Sequence, residues 1–202
     1  MNIDLHVHCS ERSTCAHSSE EEQVRAAIAA GLDAIVFTDH HHMVPFGRLE
    51  ALNRQFAPFR VFSGVEVTAD GEDCLVYGVR HPSLECTGWT YQSLYTFVRQ
   101  QEGMIVLAHA FRYSPEVKVD VHRYCPDAIE GRSANIVPEA ELEIRKMAAR
   151  LGLPLLCNSD AHTTASLGCY YNVLENHAEN EIAIFTAIKA GRFRTFVGGN
   201  GC

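Results

Sequence analysis

Short, mainly apolar runs alternate with amphipathic stretches along nearly the whole chain. Runs with the length of buried strands occur at residues 3–7, 34–37, 60–65, 74–79, 104–108, 128–129, 153–157 and 194–197. The stretches between most of them have the spacing of amphipathic helices. Continuous apolar strands that alternate with helices indicate a mostly parallel sheet with both faces covered. Seven or eight such units predict an α/β fold, a small TIM-like (β/α) barrel.

The chain length of 202 residues fits one domain with its own hydrophobic core. We expect this domain to span residues 1–197 and the glycine-rich residues 198–202 to form a flexible tail. The first helix is preceded by two overlapping capping boxes, which begin at Ser18 and Ser19, and it is followed by Gly31.

The net charge argues against several classes of partner, and the cysteine pattern indicates the redox state of the thiols. A formal net charge of -8 gives no broad attraction for nucleic acid or anionic membranes. No apolar run approaches the ~18 residues of a membrane span, and no basic segment near Met1 leads into an apolar one. We therefore predict a cytoplasmic protein with no membrane partner and no obligatory protein partner. The eight cysteines form no C-x-x-C pair, which favours reduced thiols.

Histidines and carboxylates lie at the ends of five predicted strands. These residues are His6 and His8, Asp39 and His40, Glu66, His109, and Asp160 with His162. Each alone has a structural interpretation, such as a hydrogen-bonded histidine or, for Asp39, a helix cap. The carboxyl ends of barrel strands meet at one mouth, however, so these side chains are expected to converge there. Their joint placement predicts a metal site.

The combination of imidazole and carboxylate ligands suits Zn, Mn or Fe better than Ca. A catalytic ion needs about three protein ligands besides solvent. Seven side chains therefore support two divalent ions, namely His6, His8, His40, Glu66, His109, Asp160 and His162. A third ion needs another donor, for which we rank His17 first, Cys15 second and Asp39 third.

These motifs carry a resemblance to a known family. The runs Asp4-Leu5-His6-Val7-His8, Thr38-Asp39-His40, Gly64-Val65-Glu66, Ala108-His109 and Ser159-Asp160-Ala161-His162 resemble the PHP (polymerase and histidinol phosphatase) family of metal-dependent phosphoesterases. The resemblance implies a distorted seven-stranded barrel, two or three metals at the strand ends, and hydrolysis of phosphate esters. Two positions depart from the family pattern. The loop between His8 and His17 has no obvious extra ligand, and the fourth predicted strand offers Cys74 where some members have histidine.

The resulting hypothesis is phosphoester hydrolysis by a hydroxide that bridges two metals. His40 and His162 would bind a third ion or act on the phosphate and its leaving group, one of them as general acid. Arg112 would clamp the phosphate, or else form a surface ion pair. His41 and His42 are further candidates for substrate contact. The expected substrate is a phosphomonoester or phosphodiester, either a small molecule or a nucleotide, with a short oligonucleotide as a further candidate.

Two other functions stay open from the sequence. Amidohydrolase-type enzymes also place H-x-H on a first barrel strand, and many bridge their metals with a carboxylated lysine. None of Lys118, Lys146 and Lys189 follows a predicted strand, which weakens this alternative, but Glu66 could replace the lysine bridge and keeps it open. The other alternative is a non-catalytic PHP module that only binds metal.

Overall fold

The computed structural model describes residues 1–198, and the predicted tail beyond Gly198 lies outside the described residues. The described part contains five α-helices: α1 (Glu20–Ala29), α2 (Phe46–Gln55), α3 (Tyr91–Gln100), α4 (Pro138–Leu151) and α5 (Glu181–Lys189). Its ten strands are β1 (Asn2–Val7), β2 (Ala34–Phe37), β3 (Arg60–Ser63), β4 (Val65–Ala69), β5 (Glu72–Tyr77), β6 (Met104–Leu107), β7 (Ala128–Arg132), β8 (Leu155–Cys157), β9 (Tyr170–Leu174) and β10 (Phe193–Val197). The domain boundary at residue 197 stays a prediction.

The strands form two mixed sheets of five strands each. The first sheet has the order β10-β9-β1-β2-β3, in which β1, β2 and β3 are parallel and β9 is antiparallel to both of its neighbours. The second has the order β4-β5-β6-β7-β8, in which β4, β5 and β6 alternate in direction and β6, β7 and β8 are parallel. The sheets meet through isolated bridges, Val7 with Ala161 and His40 with Glu66.

The prediction of a closed, seven-stranded (β/α) barrel is therefore wrong. The predicted strand over residues 60–65 is interrupted at Gly64, where β3 of one sheet ends and β4 of the other begins. A Cβ at Gly64 would lie 2.7 Å from the ring of Tyr77 and 2.8 Å from the carbonyl oxygen of Val76, so the close approach of β5 requires glycine here. Strand β9 was not predicted, because the polar Asn172 interrupts its short apolar pattern.

Apolar side chains from both sheets share one core. Leu5 and Val36 of the first sheet pack in the same cluster as Val106 and Leu156 of the second. Burial of such side chains contributes ~1.5–3 kcal/mol each to folding. This shared core holds the two sets of strand ends together without a continuous ladder of hydrogen bonds.

The local signals for helix α1 are confirmed in detail. Of the two overlapping capping boxes, the one formed by Ser19 and Glu22 is present, and both of its hydrogen bonds are made. Gly31 follows with a φ of 79°, the left-handed conformation that glycine adopts without strain. Helix α1 therefore starts and ends where the sequence predicts.

The cysteines and the helices test two further predictions. Cys169 is disulfide-bonded, which corrects the prediction of reduced thiols for this residue. The cysteines described as free are Cys9, Cys15, Cys74, Cys86, Cys125 and Cys157. Within residues 1–198 we find no helix whose length and apolar character would carry it across a bilayer.

Candidate metal centre

All seven side chains predicted as principal ligands come together in the structure. Five of them are buried, namely His6, His8, Glu66, His109 and Asp160. The other two, His40 and His162, are partly exposed, with side-chain exposures of 38% and 24%. We call these seven residues the metal centre. Their roles as ligands stay a prediction, but their convergence is a property of the fold.

The inner part of the metal centre consists of two imidazoles and two carboxylates. The Nε2 atoms of His6 and His8 lie 2.9 Å apart. Glu66 Oε2 lies 3.4 Å from His6 Nε2 and 3.2 Å from His8 Nε2. On the other side, Asp160 Oδ1 lies 3.3 Å from His6 Nε2 and 3.2 Å from His8 Nε2. Four possible ligand atoms therefore face one another over distances that a cation could bridge.

Asp160 provides the test of whether these residues fit a metal ion. Its Oδ1 atom is buried and has no hydrogen-bond partner among the described residues. Three imidazole nitrogens nevertheless lie near it, including His162 Nδ1 at 3.6 Å. A buried carboxylate oxygen without a hydrogen bond is costly unless another group satisfies it. A divalent cation among these nitrogens would satisfy that oxygen, so the site fits the predicted metal.

His8, His40 and His162 form a second group of ligand atoms. The ring of His8 stacks with that of His40 at 4.7 Å and with that of His162 at 4.4 Å between centroids. This group supplies three donors, which is the usual minimum for a catalytic ion. His8 also belongs to the group with His6 and Glu66, and its Nδ1 already contacts Ser13, so its Nε2 can bind only one ion. A third ion beside His40 and His162 would therefore compete with the inner group for His8.

The structure adds Asp73, which the sequence analysis did not select. Asp73 lies on β5, is buried, and shares a group of candidate ligands with Glu66 and His109. Its Oδ1 accepts a hydrogen bond from Thr68 Oγ1 at 2.6 Å. The next residue, Cys74, lies in the hydrophobic core on the other face of the strand. Asp73 therefore occupies the place for which Cys74 was considered.

Glu66 connects two of the ligand groups. Its Oε1 lies 3.0 Å from His109 Nε2. Its Oε2 lies 3.2 Å from His8 Nε2 and 3.1 Å from His40 Nδ1. The group with Asp73 and His109 and the group with His6 and His8 thus share this carboxylate. A shared carboxylate is the arrangement expected if two ions lie side by side.

Changing Asp73 to asparagine is expected to lower the amount of metal retained after dialysis. The substitution keeps the shape of the side chain but replaces an anionic oxygen beside Glu66 and His109 with a neutral amide. We expect the affinity of that group for Mn, Zn or Fe to fall by at least the ~10–100-fold typical of changes next to a metal. Elemental analysis of Asp73→Asn beside Cys74→Ala tests this. Cys74→Ala should retain the wild-type metal content, and equal content in both variants would remove Asp73 from the site.

None of the three residues ranked as additional ligands belongs to a group of candidate ligand atoms in the described chain. Asp39 is fully engaged elsewhere, since its Oδ1 accepts from Cys9 N at 2.8 Å and from Ser13 Oγ at 2.7 Å, and its Oδ2 accepts from Arg12 Nε at 2.8 Å. His17 and Cys15 are exposed. The ranking of these three residues is therefore not supported by the geometry.

Ser13 contacts His8 from outside the metal centre, and Asp39 holds Ser13 in place by accepting its hydroxyl hydrogen bond. Ser13 Oγ lies 3.2 Å from His8 Nδ1 and also accepts from the backbone N–H of His40 at 3.2 Å. A hydrogen bond to one ring nitrogen orients an imidazole and directs its other nitrogen toward a ligand. The motif Asp39-His40 thus supplies both a candidate ligand and the support for another one.

The buried imidazoles and carboxylates of the metal centre shift one another's pKa values. Burial lowers the pKa of His6, but Asp160, Glu130 and Glu66 more than offset it, so the pKa lies well above its ordinary value. For His8, burial is likewise outweighed by Asp160 and Glu66, and the pKa rises to about 9. The pKa of Glu66 is correspondingly held well below its usual range, chiefly by His6 against the effect of burial. These opposite shifts follow from how closely the buried imidazoles and carboxylates lie to one another.

Four residues around the site have positive backbone φ values, and one of them is His41, directly after His40, with a φ of 53°. Asp160 has a φ of 51°, His109 of 22° and Phe111 of 68°. Residues other than glycine rarely adopt positive φ, and such strain is concentrated at functional sites. The strain at His109 and Asp160 supports a functional role for the positions that the sequence selected.

Arg112 lies at the rim of the metal centre, as predicted. Its Nη1 atom is 3.6 Å from Asp160 Oδ2, and the side chain is one-third exposed. The same Asp160 oxygen accepts a hydrogen bond from Asn135, which was not predicted. The guanidinium also lies over the ring of Tyr113, 5.3 Å from its centroid. His41 by contrast uses its ring nitrogens on the backbone of Cys86 and Thr68.

Family models match two parts of the chain. A model described as PHP-associated matches residues 138–193. A model described as a family of unknown function matches residues 2–68. No curated protein matches the sequence.

Solved structures of low sequence identity have the same fold. A two-domain protein from Bacteroides vulgatus ATCC 8482, which contains a predicted PHP-like metal-dependent phosphoesterase, has a TM-score of 0.72 at 15% identity; the match covers 98% of this chain and 64% of that one. This chain therefore spans less than two thirds of that relative. PsfC from Pseudomonas syringae PB-5123 has a TM-score of 0.71 at 17% identity, with coverages of 99% and 92%.

A third structure bears on the alternative function. An amidohydrolase from Chromobacterium violaceum, with bound sulfate and no metal, has a TM-score of 0.59 at 15% identity. The match covers 80% of this chain and 88% of that chain. At such identities the likeness shows the fold, while function has to be argued from the site.

Proposed function

We propose that this chain, whose resemblance to the PHP family is confirmed by its PHP-associated segment and its PHP-like fold, hydrolyses phosphate esters with divalent metals. The observation that carries the proposal is the buried Asp160 Oδ1 atom, which faces three imidazole nitrogens without a hydrogen bond. The ligand set indicates two or three ions of Mn, Zn or Fe. The proposed reaction class, phosphoester hydrolysis, depends neither on how many ions bind nor on which of these metals they are.

The residues of the metal centre divide the chemical work. His6, His8, Glu66, Asp73, His109 and Asp160 would hold the ions. Divalent ions in such sites supply Lewis acidity and an activated water. Arg112 would orient the phosphoryl group from the rim through its planar set of donors. His40 and His162 are the ligand candidates most open to solvent, so either can pass a proton to the leaving-group oxygen.

The proposed substrate is a small phosphorylated molecule or a nucleotide. The net charge of -8 gives no extended positive surface that would follow a long nucleic acid. A short oligonucleotide, held at one end, stays within the proposal. Both phosphomonoesters and phosphodiesters fit a rim at which Arg112, 3.6 Å from Asp160 Oδ2, is the one guanidinium or ammonium group paired with Asp160 in the described chain.

Substitution of Arg112 by alanine is expected to raise KM while largely sparing kcat. A guanidinium that binds the phosphoryl group equally in the ground state and the transition state contributes uniform binding. Charge-assisted hydrogen bonds contribute about 1.5–3 kcal/mol, so we expect KM to rise ~10–100-fold. Steady-state kinetics on the best phosphoester checks this. Arg145→Ala, on the exposed face of helix α4, is the control and should leave the kinetics unchanged. Unchanged kinetics for Arg112→Ala would contradict the phosphate clamp, and the role left for Arg112 would be its ion pair with Asp160.

The experiment that tests the function is a turnover screen of the metal-stripped protein with Mn, Zn and Fe each added back. Phosphate monoesters and diesters are compared with amides and lactones under identical conditions. Hydrolysis of at least one phosphoester, dependent on the added metal, is the expected result. Turnover confined to amides or lactones would establish the amidohydrolase alternative, and metal binding without turnover would establish the non-catalytic module.

One structural observation favours phosphoesters over the amidohydrolase type. All three lysines lie in the described chain, and each lies away from the metal centre. Lys146 pairs with Glu143 and Lys189 pairs with Asp127. The Lys118 Nζ atom lies in the turn between β4 and β5, 3.3 Å from the position that a Cβ would take at Gly71. None of these lysines is thus a candidate for a carboxylated lysine bridge, and Glu66 would be the carboxylate available to bridge two ions.

A further inference from the structure

A fully buried carboxylate, Glu130 on β7, lies directly behind the metal centre. Its Oε1 atom is 3.0 Å from His6 Nδ1 and accepts a hydrogen bond from Asn158 Nδ2 at 2.9 Å. Its Oε2 atom accepts from the backbone N–H of His109 at 3.1 Å. Glu130 thus contacts two candidate ligands, the ring of His6 and the backbone of His109, from the side opposite the proposed metals.

These contacts determine which nitrogen of His6 is available. Both oxygens of Glu130 already act as acceptors, Oε1 from Asn158 Nδ2 and Oε2 from the backbone N–H of His109. A ring nitrogen that faces such an acceptor makes a hydrogen bond only if it carries the proton. The proton of a neutral His6 is therefore fixed on Nδ1, and the lone pair is left on Nε2. That atom faces His8 Nε2 at 2.9 Å and Asp160 Oδ1 at 3.3 Å. The correct tautomer for metal binding is thus set from behind the ring.

We propose that Glu130 is a positioning residue that holds His6 in the Nδ1-protonated form and thereby sets the metal affinity of the site. The inference rests on the proposed function only in taking His6 as a metal ligand. Oriented carboxylate–histidine pairs raise the basicity of the ligating nitrogen and fix the ring. Glu130 does so for His6 through a charged group, whereas His8 is held through the neutral hydroxyl of Ser13.

The competing interpretation makes Glu130 a structural crosslink between strands. Glu130→Gln separates the two interpretations, because glutamine keeps the volume but has one acceptor oxygen and one donor nitrogen. The three N–H groups around Glu130 cannot all be satisfied by one amide oxygen in the same pose. If the amide nitrogen faces His6, the ring must accept at Nδ1 and moves its proton to Nε2, where it blocks the metal.

The main measurement is the Zn²⁺ affinity, obtained by chelator competition and not by turnover. We expect Glu130→Gln to weaken Zn²⁺ binding by ~10–100-fold, the range for such outer contacts. The matched control is Asp127→Asn, which removes a partly buried carboxylate that pairs with Arg99 away from the metal centre. The control should bind Zn²⁺ within twofold of wild type, provided that circular dichroism shows both variants folded.

A double-mutant cycle shows whether Glu130 acts through His6. In a His6→Ala background, Glu130→Gln should weaken Zn²⁺ binding by less than threefold further, because the ring that it positions is gone. A full additional loss in that background, or no loss in the single variant, would overturn the proposal and support the structural interpretation.

A measurement on the wild-type protein covers the case in which Glu130→Gln does not fold. In the Zn²⁺-loaded protein, ¹⁵N NMR of the His6 ring should show a proton on Nδ1 and the metal on Nε2. The opposite tautomer would refute the proposal without any variant. Because neither readout uses turnover, absence of phosphoesterase activity would count against the proposed function and not against the role of Glu130.

Discussion

Replacing Asp160 or His8 with alanine is expected to abolish metal-dependent hydrolysis while the chain stays folded. Asp160 brings the unsatisfied oxygen of the metal centre, and His8 belongs to two groups of candidate ligands. Changes to residues that merely support a metal ligand already cost ~10–100-fold, so loss of a ligand should cost at least 100-fold. The measurement is kcat/KM on the best phosphoester under saturating metal.

The control for these variants is His177→Ala, which removes an exposed histidine from a surface groove beside Ala178 and Arg192. It should have wild-type activity, which shows that removal of a histidine is not in itself harmful. Circular dichroism is needed because Asp160 is buried against His6 and His8, at 3.3 and 3.2 Å, so its removal could also disturb their packing. A folded variant with more than about a tenth of the wild-type rate would remove that residue from the ligand set, since even supporting residues have larger effects.

The sequence predicted the metal centre better than it predicted the fold around it. The end of a strand and the direction of the following side chain are local properties, so His6, His8, His109 and Asp160 could be located from apolar runs alone. Closure of a barrel depends on how distant strands pair. The interruption at Gly64 arises from the packing of Tyr77, which no local pattern reveals.

Two functional candidates were missed for identifiable reasons. Asp73 lies near the start of β5, which is antiparallel to β4 and β6, so its beginning faces the metal centre. A search of strand ends in a parallel sheet cannot find such a residue. Glu130 lies inside β7, whose predicted extent stopped at residue 129. A glutamate that directly continues an apolar run, as Glu130 continues Ala128-Ile129, is a signal that could have identified it, because a carboxylate within a buried strand requires partners.

The strain in the segment around His109 connects fold and site. Strand β6 ends at Leu107, and His109 and Phe111 then adopt positive φ values while the backbone N–H of His109 donates to Glu130. A buried carboxylate thus holds a strained turn in place. The same turn presents Arg112 to Asp160 Oδ2 on the other side. The conformation of one short segment therefore sets both a candidate ligand and the candidate phosphate clamp.

Removal of metal by a chelator is expected to lower the melting temperature of the protein by several degrees. A ligand that binds only the folded state stabilises it by ~4 kcal/mol when its concentration is 1,000 times its Kd. For a chain of this size, each kcal/mol corresponds to ~2–4 °C in Tm. The chelator removes this stabilising ligand, so the expected fall in Tm follows from the loss of metal binding to the folded state.

Thermal unfolding with and without the chelator provides the measurement, and two controls define it. A chelator already saturated with zinc should leave Tm unchanged, which excludes direct effects of the reagent. Asp160→Ala should show a smaller shift than wild type, because its metal affinity is already reduced. Equal shifts in both proteins would place the stabilising metal elsewhere, and no shift in wild type after metal-supplemented expression would refute a resident metal. Because both proteins have the same remaining ligands, the difference between their shifts reports the contribution of Asp160 to metal binding.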